Sequence, residues 1–274
     1  KYVFETFKPE IVFHLAAQPI VLTGYKEPLY TYETNVMGTI NLLECIRTTD
    51  CVKTLVNVTT DKVYENPEDG KAFVETDRLN GYDPYSNSKS CSELVTECYY
   101  NSFFKDRHIN VTTMRAGNVI GGGDFAPNRI IPDCVRAAQA KTPIVLRNPT
   151  AVRPFQHVLE PLFAYLMVGS KQFDTIQHFN IGPGAADYVT TKDLAEMFCK
   201  CWGDASYVIQ QNAQAPHEAG LLVLSSQKIQ DELGWKPTWD VETAIDKICE
   251  FHKCTNIPYI MNKQINEFMA KRGE

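Results

Sequence analysis

Long apolar runs are missing from this 274-residue chain; residues 162–169 form its longest notable apolar patch, well short of the roughly 20 residues that span a membrane. A basic excess is missing too: 27 Lys and Arg stand against 33 Asp and Glu, a formal net charge of −6. That balance excludes a general binder of nucleic acid or of anionic membrane, leaving room only for a local basic pocket. The nine cysteines, at 45, 51, 91, 98, 134, 199, 201, 249 and 254, include no Cys-x-x-Cys pair. Zinc is therefore not expected, and the scattered set suits reduced thiols of a cytoplasmic protein. The opening Lys-Tyr-Val-Phe-Glu-Thr-Phe-Lys-Pro-Glu has no secretory apolar core. Internal repeats and low-complexity tracts are absent. Missing as well is an opening strand, Gly-x-x-Gly-x-x-Gly-like turn and helix, the unit with which a dinucleotide-binding sheet ordinarily begins. Gly121-Gly122-Gly123 is no substitute: it follows a late strand and lacks the Gly-Lys-Ser/Thr of a phosphate loop. It reads as a permissive turn or a substrate-side loop.

What is present, 44% hydrophobic and 22% charged residues, suffices for a large core and one or two domains. Residues 10–16, 54–60 and 111–119 read as strands. Between them, residues 30–47 and 86–104 read as helices, the first from Val36, Ile40, Leu43 and Ile46 at helical spacing. A turn-rich insert with Pro67, Gly70, Gly81 and Pro84 occupies 65–83. This alternation predicts an α/β fold with a doubly wound parallel sheet, ligands lying at the carboxyl ends of the strands. Beyond about residue 120 prolines crowd in at 127, 132, 143, 149, 154 and 161. Short strands are expected at 144–146 and 178–181, and helices at 191–201, 226–233 and 241–251. The prediction is a partial nucleotide-binding sheet over 1–120 and a smaller α/β cap, 121–274, interleaved with it.

Two stretches carry chemistry. Tyr85 and Lys89 stand four apart at a helix start, so phenol and ammonium share a face. A neighbouring ammonium favours the phenolate and makes tyrosine a usable general base; a solvated helix edge is the other reading of the pair. Thr59-Thr60-Asp61-Lys62 closes the second strand. Asp61 and Lys62 are two titratable groups there, or a plain ion pair at a strand end. His14 and His157 lie in apolar contexts and read as satisfied interior histidines.

Several patterns coincide in order: His14-Leu-Ala-Ala-Gln-Pro19, Thr34-Asn-Val-Met-Gly-Thr39, Thr59-Thr-Asp-Lys-Val-Tyr64, Tyr85-Ser-Asn-Ser-Lys89, Arg115-Ala-Gly-Asn-Val-Ile-Gly-Gly-Gly-Asp124 and Arg153-Pro-Phe-Gln-His-Val158. In these the chain resembles the extended short-chain dehydrogenase/reductases and, among them, the CDP-glucose 4,6-dehydratases. The likeness runs on through Asn148-Pro149, Pro216-His-Glu-Ala219 and Leu233-Gly-Trp-Lys-Pro237. It implies a Rossmann-type sheet lacking its first strands, hence an N-terminally truncated chain that by itself binds NAD weakly and turns over little. The implied reaction uses NAD to convert CDP-glucose to its 4-keto-6-deoxy product, feeding deoxysugars of surface polysaccharide; the implied assembly is a homodimer.

Carried over by resemblance, Tyr85 is the base at O4, and Lys89 lowers its pKa and holds the nicotinamide ribose. Thr60 bonds O4, Asp61 protonates the departing 6-hydroxyl, and Lys62 is either the C5 base or a cation stabilising the enolate. Leu15, Ala16, Ala17, Asn35, Thr59, Gly117 and Val119, with Tyr85 and Lys89, are the implied cofactor contacts. Asn118, Arg129, Arg153 and His217 are the implied substrate contacts; read without the family, the two arginines are ordinary surface residues. Other nucleotide-sugar dehydratases, or a 4-epimerase, share most of these features, although an epimerase has no need of an acid and a base at C5–C6. A non-catalytic chain that binds nucleotide sugar or a partner is the reading from a different class.

Overall fold

The computed structural model describes residues 1–210 and 220–273. Helix α1 (Tyr2–Phe7) leads into strand β1 (Ile11–His14). Helices α2 (Val21–Lys26), α3 (Pro28–Tyr32) and α4 (Gly38–Arg47) follow, then β2 (Thr54–Thr60), α5 (Pro84–Tyr99) and β3 (Asn110–Ala116). The second half runs β4 (Val119–Ile120), α6 (Ile130–Gln139), β5 (Ile144–Leu146), β6 (Val152–Pro154), β7 (Gln156–His157), α7 (Leu159–Gly169) and β8 (Gln177–Ile181). It ends with β9 (Tyr188–Thr190), α8 (Thr191–Trp202), β10 (Tyr207–Ile209), α9 (Gln227–Leu233), α10 (Val241–Lys253) and α11 (Ile257–Arg272).

The main sheet is parallel throughout, in the order β1-β2-β3-β8, with Ile11 opposite Thr54, Thr54 opposite Asn110 and Thr112 opposite Gln177. Both faces of its central strands are covered, the usual state of a parallel sheet. Successive residues of β2 therefore enter different cores. Leu55 packs with Leu43, Ile46, Tyr100 and Phe104 of the α4–α5 layer. Val56 packs with Ala164, Val168, Ile229 and Trp235 of the α7–α9 layer. A second core joins α6, α8 and α10 through Ile131, Val135, Leu194, Phe198, Ile245 and Ile248. Residues beyond 120 thus build a cap and also return α7, β8 and α9 to the sheet.

The expected strand 111–119 is interrupted. It ends at Ala116, and β4 pairs with β7 instead. The backbone at Gly117 runs against Pro154: a Cβ there would lie 2.7 Å from the proline Cγ and 2.8 Å from its carbonyl oxygen. The expected helix 30–47 is likewise split by a wide π-turn, Glu33–Met37, between α3 and α4. Helices α6, α7 and α11 escape a reading of prolines as breakers because Pro132, Pro161 and Pro258 all sit in first turns, where a missing N–H costs nothing. Among the described residues no helix is long and apolar enough to cross a membrane.

His157 is enclosed, accepts a bond from the Leu159 N–H at 3.3 Å and meets the Trp239 ring edge-on. Burial, with Lys247 nearby, lowers its pKa to about 4. The unfolded chain therefore takes up the proton first as pH falls, and stability is lost from about pH 6.5 downwards, by up to about 3 kcal/mol near pH 4. Urea melts from pH 7 to 5 should show a steeper loss for the natural protein than for His157→Gln, which keeps an acceptor for Leu159; equal slopes would contradict this.

Candidate active site

The site grows from the carboxyl end of β2 and the first two turns of α5. Asp83 caps α5, its Oδ1 accepting from the N–H groups of Tyr85 (3.0 Å) and Ser86 (3.1 Å), with Pro84 in the first helical position. This is an efficient helix start. It faces Tyr85 toward Thr60 and seals it in; the phenol is 8% exposed. Burial pushes its pKa up to about 12, opposed by a hydrogen bond with Thr60 and by the charge of Arg129. Lys89, also buried, donates from Nζ to the Val58 carbonyl at 3.1 Å. Burial lowers the ammonium to about 8, and Glu93 works against that fall. The expected lowering of the tyrosine by Lys89 is thus not what dominates: desolvation does, because the ammonium is turned to the strand and the phenol is enclosed.

Asp61 is 1% exposed. Its Oδ1 accepts from Thr60 Oγ1 at 3.0 Å and from Lys62 Nζ at 3.3 Å. Its Oδ2 is buried without a protein partner. A buried acceptor left open is costly, and Asp61 lies on a cavity wall, where a ligand hydroxyl can satisfy it. Lys62 Nζ also donates to Asn118 Oδ1 at 3.3 Å.

That cavity, about 830 Å³, brings together Thr59, Thr60, Asp61, Lys62, Tyr85, Gly117, Asn118, Val119, Arg129 and Arg153. Arg129 pairs with Asp124 at 2.9 Å on the loop after the triple glycine. Leu15 and Ala16 are exposed just past β1 and Ala17 is half-buried. Asn35 is placed differently from a ligand contact. It is 2% exposed, and its amide is spent on the Gln18 N–H (2.8 Å), the Gln18 carbonyl (3.0 Å) and Ser88 Oγ (2.9 Å). It ties the segment after β1 to α5. His217 and the Pro216–Ala219 stretch lie outside the described residues.

Sequence reasoning missed Glu93, which is buried beneath Lys89 and accepts from Thr59 Oγ1 (2.5 Å), Thr113 Oγ1 (2.7 Å) and Arg115 Nη2 (2.8 Å). The signal was available: Tyr85, Lys89 and Glu93 recur at four-residue spacing, one line along the helix. His178 meets the same group, with its Nδ1 2.8 Å from Thr113 Oγ1.

The sequence profile of the GDP-mannose 4,6 dehydratase family matches residues 1–248. The chain is 42% identical to a CDP-glucose 4,6-dehydratase of Salmonella typhimurium over 96% of its own length and 77% of that protein's. A UDP-glucose 4-epimerase of Lacticaseibacillus casei is 29% identical, over 90% of this chain and 77% of the epimerase. Among solved structures, the fold resembles dTDP-glucose 4,6-dehydratase from Bacillus anthracis in complex with NAD, with TM-score 0.76, 24% identity, and 92% and 75% of the two chains covered. It also resembles the Thermus thermophilus UDP-glucose 4-epimerase complex with NAD, with TM-score 0.82, 24% identity, and 93% and 81% covered. The chain belongs to the GDP-mannose 4,6 dehydratase family, and its fold is the Rossmann-type α/β fold of these structures.

The two asparagines make opposite predictions. Asn35→Ala strands buried polar groups on Gln18 and Ser88 and should lower unfolding free energy by about 2–4 kcal/mol. Asn118→Ala, on the cavity wall, should change it by less than about 1 kcal/mol. Chemical denaturation of both variants checks this, and equal losses would refute the placement.

Proposed function

We propose that this chain carries the NAD-dependent 4,6-dehydration of a nucleotide sugar, with CDP-glucose as substrate. What supports the reading is the meeting of the Tyr85 phenol with the Asp61–Lys62 pair in one cavity at the carboxyl end of β2, together with 42% identity to the Salmonella CDP-glucose enzyme. A buried, unpartnered carboxylate oxygen of Asp61 suits a sugar hydroxyl at this edge. NAD bound there would supply a reversible hydride acceptor between C4 and C6.

The side chains handle the protons. Tyr85 is a base only as the phenolate, which burial disfavours and the positive charge of bound NAD would favour; in that form it would take the proton of the 4-hydroxyl while Thr60 hydrogen-bonds the same oxygen. The resulting 4-ketone acidifies the C5 hydrogen. Elimination then needs a base at C5 and an acid for the 6-hydroxyl, and the Asp61–Lys62 contact at 3.3 Å can supply both. Passing one proton from the ammonium to the carboxylate leaves an amine as base and a carboxylic acid as donor. The lysine would take the C5 proton, the 6-hydroxyl would leave as water with the proton of Asp61, and after hydride return to C6 the lysine would give its proton back to C5, completing the 4-keto-6-deoxy sugar. Arg129 and Arg153 suit the diphosphate, since a guanidinium grips phosphate oxygens in a fork. Leu15, Ala16, Ala17 and Val119 would flank the dinucleotide, and residues 121–274 would supply most of the sugar-nucleotide side.

The protein, given NAD and CDP-glucose, should release a 4-keto product with loss of water. An epimer formed without water loss would overturn the reading in favour of an epimerase. Lys62→Arg keeps the cation but cannot surrender its proton at neutral pH. It should fall at least about 100-fold in kcat, as should Lys62→Met, with reduced nicotinamide accumulating after C4 oxidation. A Lys62→Arg enzyme retaining more than about a tenth of kcat would make Lys62 a purely electrostatic group.

A further inference from the structure

Helix α5 presents an unusual face to the sheet. Ser88, Ser92, Glu93 and Thr96 are buried while Leu94 is 53% exposed. Hydroxyls this small let the helix lie close to the strands, and every buried polar atom needs a partner there. Asn57 Nδ2 donates to Ser92 Oγ at 3.1 Å and to Thr96 Oγ1 at 2.9 Å. Lys89 and Glu93 reach adjacent residues of β2, the Val58 carbonyl and the Thr59 hydroxyl. The strand continues straight into Thr60-Asp61-Lys62.

Glu93 is also the hub of a wider array. Arg115 donates to it from Nε (3.0 Å) as well as from Nη2, and from Nη1 to Tyr64 OH (2.9 Å) and the Glu75 carbonyl (2.8 Å). His178 Nδ1 lies 3.6 Å away. Despite burial, Arg115 and His178 hold the carboxyl below the usual carboxylate range, so the group at the hub is an anion, one turn from the Lys89 ammonium.

We propose that Glu93 is a positioning residue for the reaction: it locks the register of α5 against the end of β2, and its negative charge keeps Lys89 an ammonium beside Tyr85. This rests on the dehydratase reading of the same site. Asp61–Lys62 and Tyr85–Lys89 sit on different elements, and Glu93, with Lys89, is a charged side chain that ties one element to the other. Among the described residues the groups that act on Lys89 are Glu93 on its own helix, His14 on β1, whose pKa Lys89 helps to lower, and the Val58 carbonyl on β2, with Tyr85 one turn away along the helix. Of these, Glu93 is the one anion at neutral pH, so neutralising it withdraws the support of the ammonium.

The test compares Glu93→Gln, Glu93→Asp and the double variant Glu93→Leu/Arg115→Met by kcat, KM and the pH dependence of kcat. It adds an NMR titration of the Lys89 ε-carbon in lysine-labelled protein. Glu93→Gln should keep KM for CDP-glucose within about 3-fold, lose at least about 10-fold in kcat and titrate Lys89 about one pH unit lower, carrying the basic limb of the profile with it. Glu93→Asp keeps the charge but not the reach, so it should lose kcat while leaving Lys89 titrating within about 0.3 unit of the natural value. If Glu93→Gln does not fold, the double variant decides, because removing both partners leaves no orphaned charge. Folded double-variant protein should still be at least about 10-fold down in kcat. A folded Glu93→Gln or double variant with natural kcat, or an unmoved Lys89 titration in Glu93→Gln, would overturn the proposal. If the natural protein does not dehydrate CDP-glucose, the dehydratase reading fails on its own; the Lys89 shift in Glu93→Gln then still supports the electrostatic link.

Discussion

The buried pairing of Glu93 with Arg115 is the interaction on which the rest of the site depends. Both side chains are at most 2% exposed. Two charges taken out of water cost several kcal/mol each unless their lone pairs and protons are met. Here they are met: Thr59, Thr113 and Arg115 converge on the carboxylate, and the guanidinium spends its remaining donors on Tyr64 and Glu75. Because the partners come from β2, β3, α5 and the 65–83 insert, satisfying the pair fixes four parts of the chain at once. A half-satisfied version would be worse than an apolar core, so the arrangement holds only in one register.

That register explains the order of the chemistry along β2. Val58 receives Lys89, Thr59 receives Glu93, and Thr60 meets Tyr85. Three successive strand residues thus engage three successive turns of one helix face. The insert completes the frame. Tyr64 OH donates to Asn180 Oδ1 at 2.6 Å, Glu75 Oε1 accepts from the Asn180 N–H at 2.8 Å, and Phe73 stacks on Tyr64. At Gly81, a Cβ would fall 2.3 Å from the Ser86 carbonyl carbon, so only glycine allows the insert to approach the helix start so closely.

The cap contributes differently. Its arginines reach the cavity from α6 and β6, elements whose own core is separate from the sheet. Asp124 already occupies Arg129 at 2.9 Å, so a phosphate must offer more than that carboxylate does. The sheet edge thus holds Thr60, Asp61, Lys62 and Tyr85 on the cavity, while the cap brings Arg129 and Arg153 to it.

The amino-acid sequence by itself determined the alternation of strands and helices, the parallel sheet, and the placing of Tyr85 and Lys89 one turn apart at the start of one helix. These are local: hydrophobic period and four-residue spacing express them within a dozen residues. Asp61-Lys62 was legible for the same reason, being adjacent in the chain. Tertiary structure decided what lies between the elements. A helix reading Ser-x-Ser-x-x-x-Ser-Glu looks solvent-facing on pattern alone, yet its polar face is the buried one, since its partners are Asn57, Thr59, Thr113 and Arg115, on strands that lie 20 to 39 residues from them along the chain. The break at Gly117 depends on Pro154, and the full commitment of Asn35 depends on Gln18 and Ser88. Hydrogen-bond satisfaction in a buried layer is a long-range condition, and no local window contains the groups that meet it.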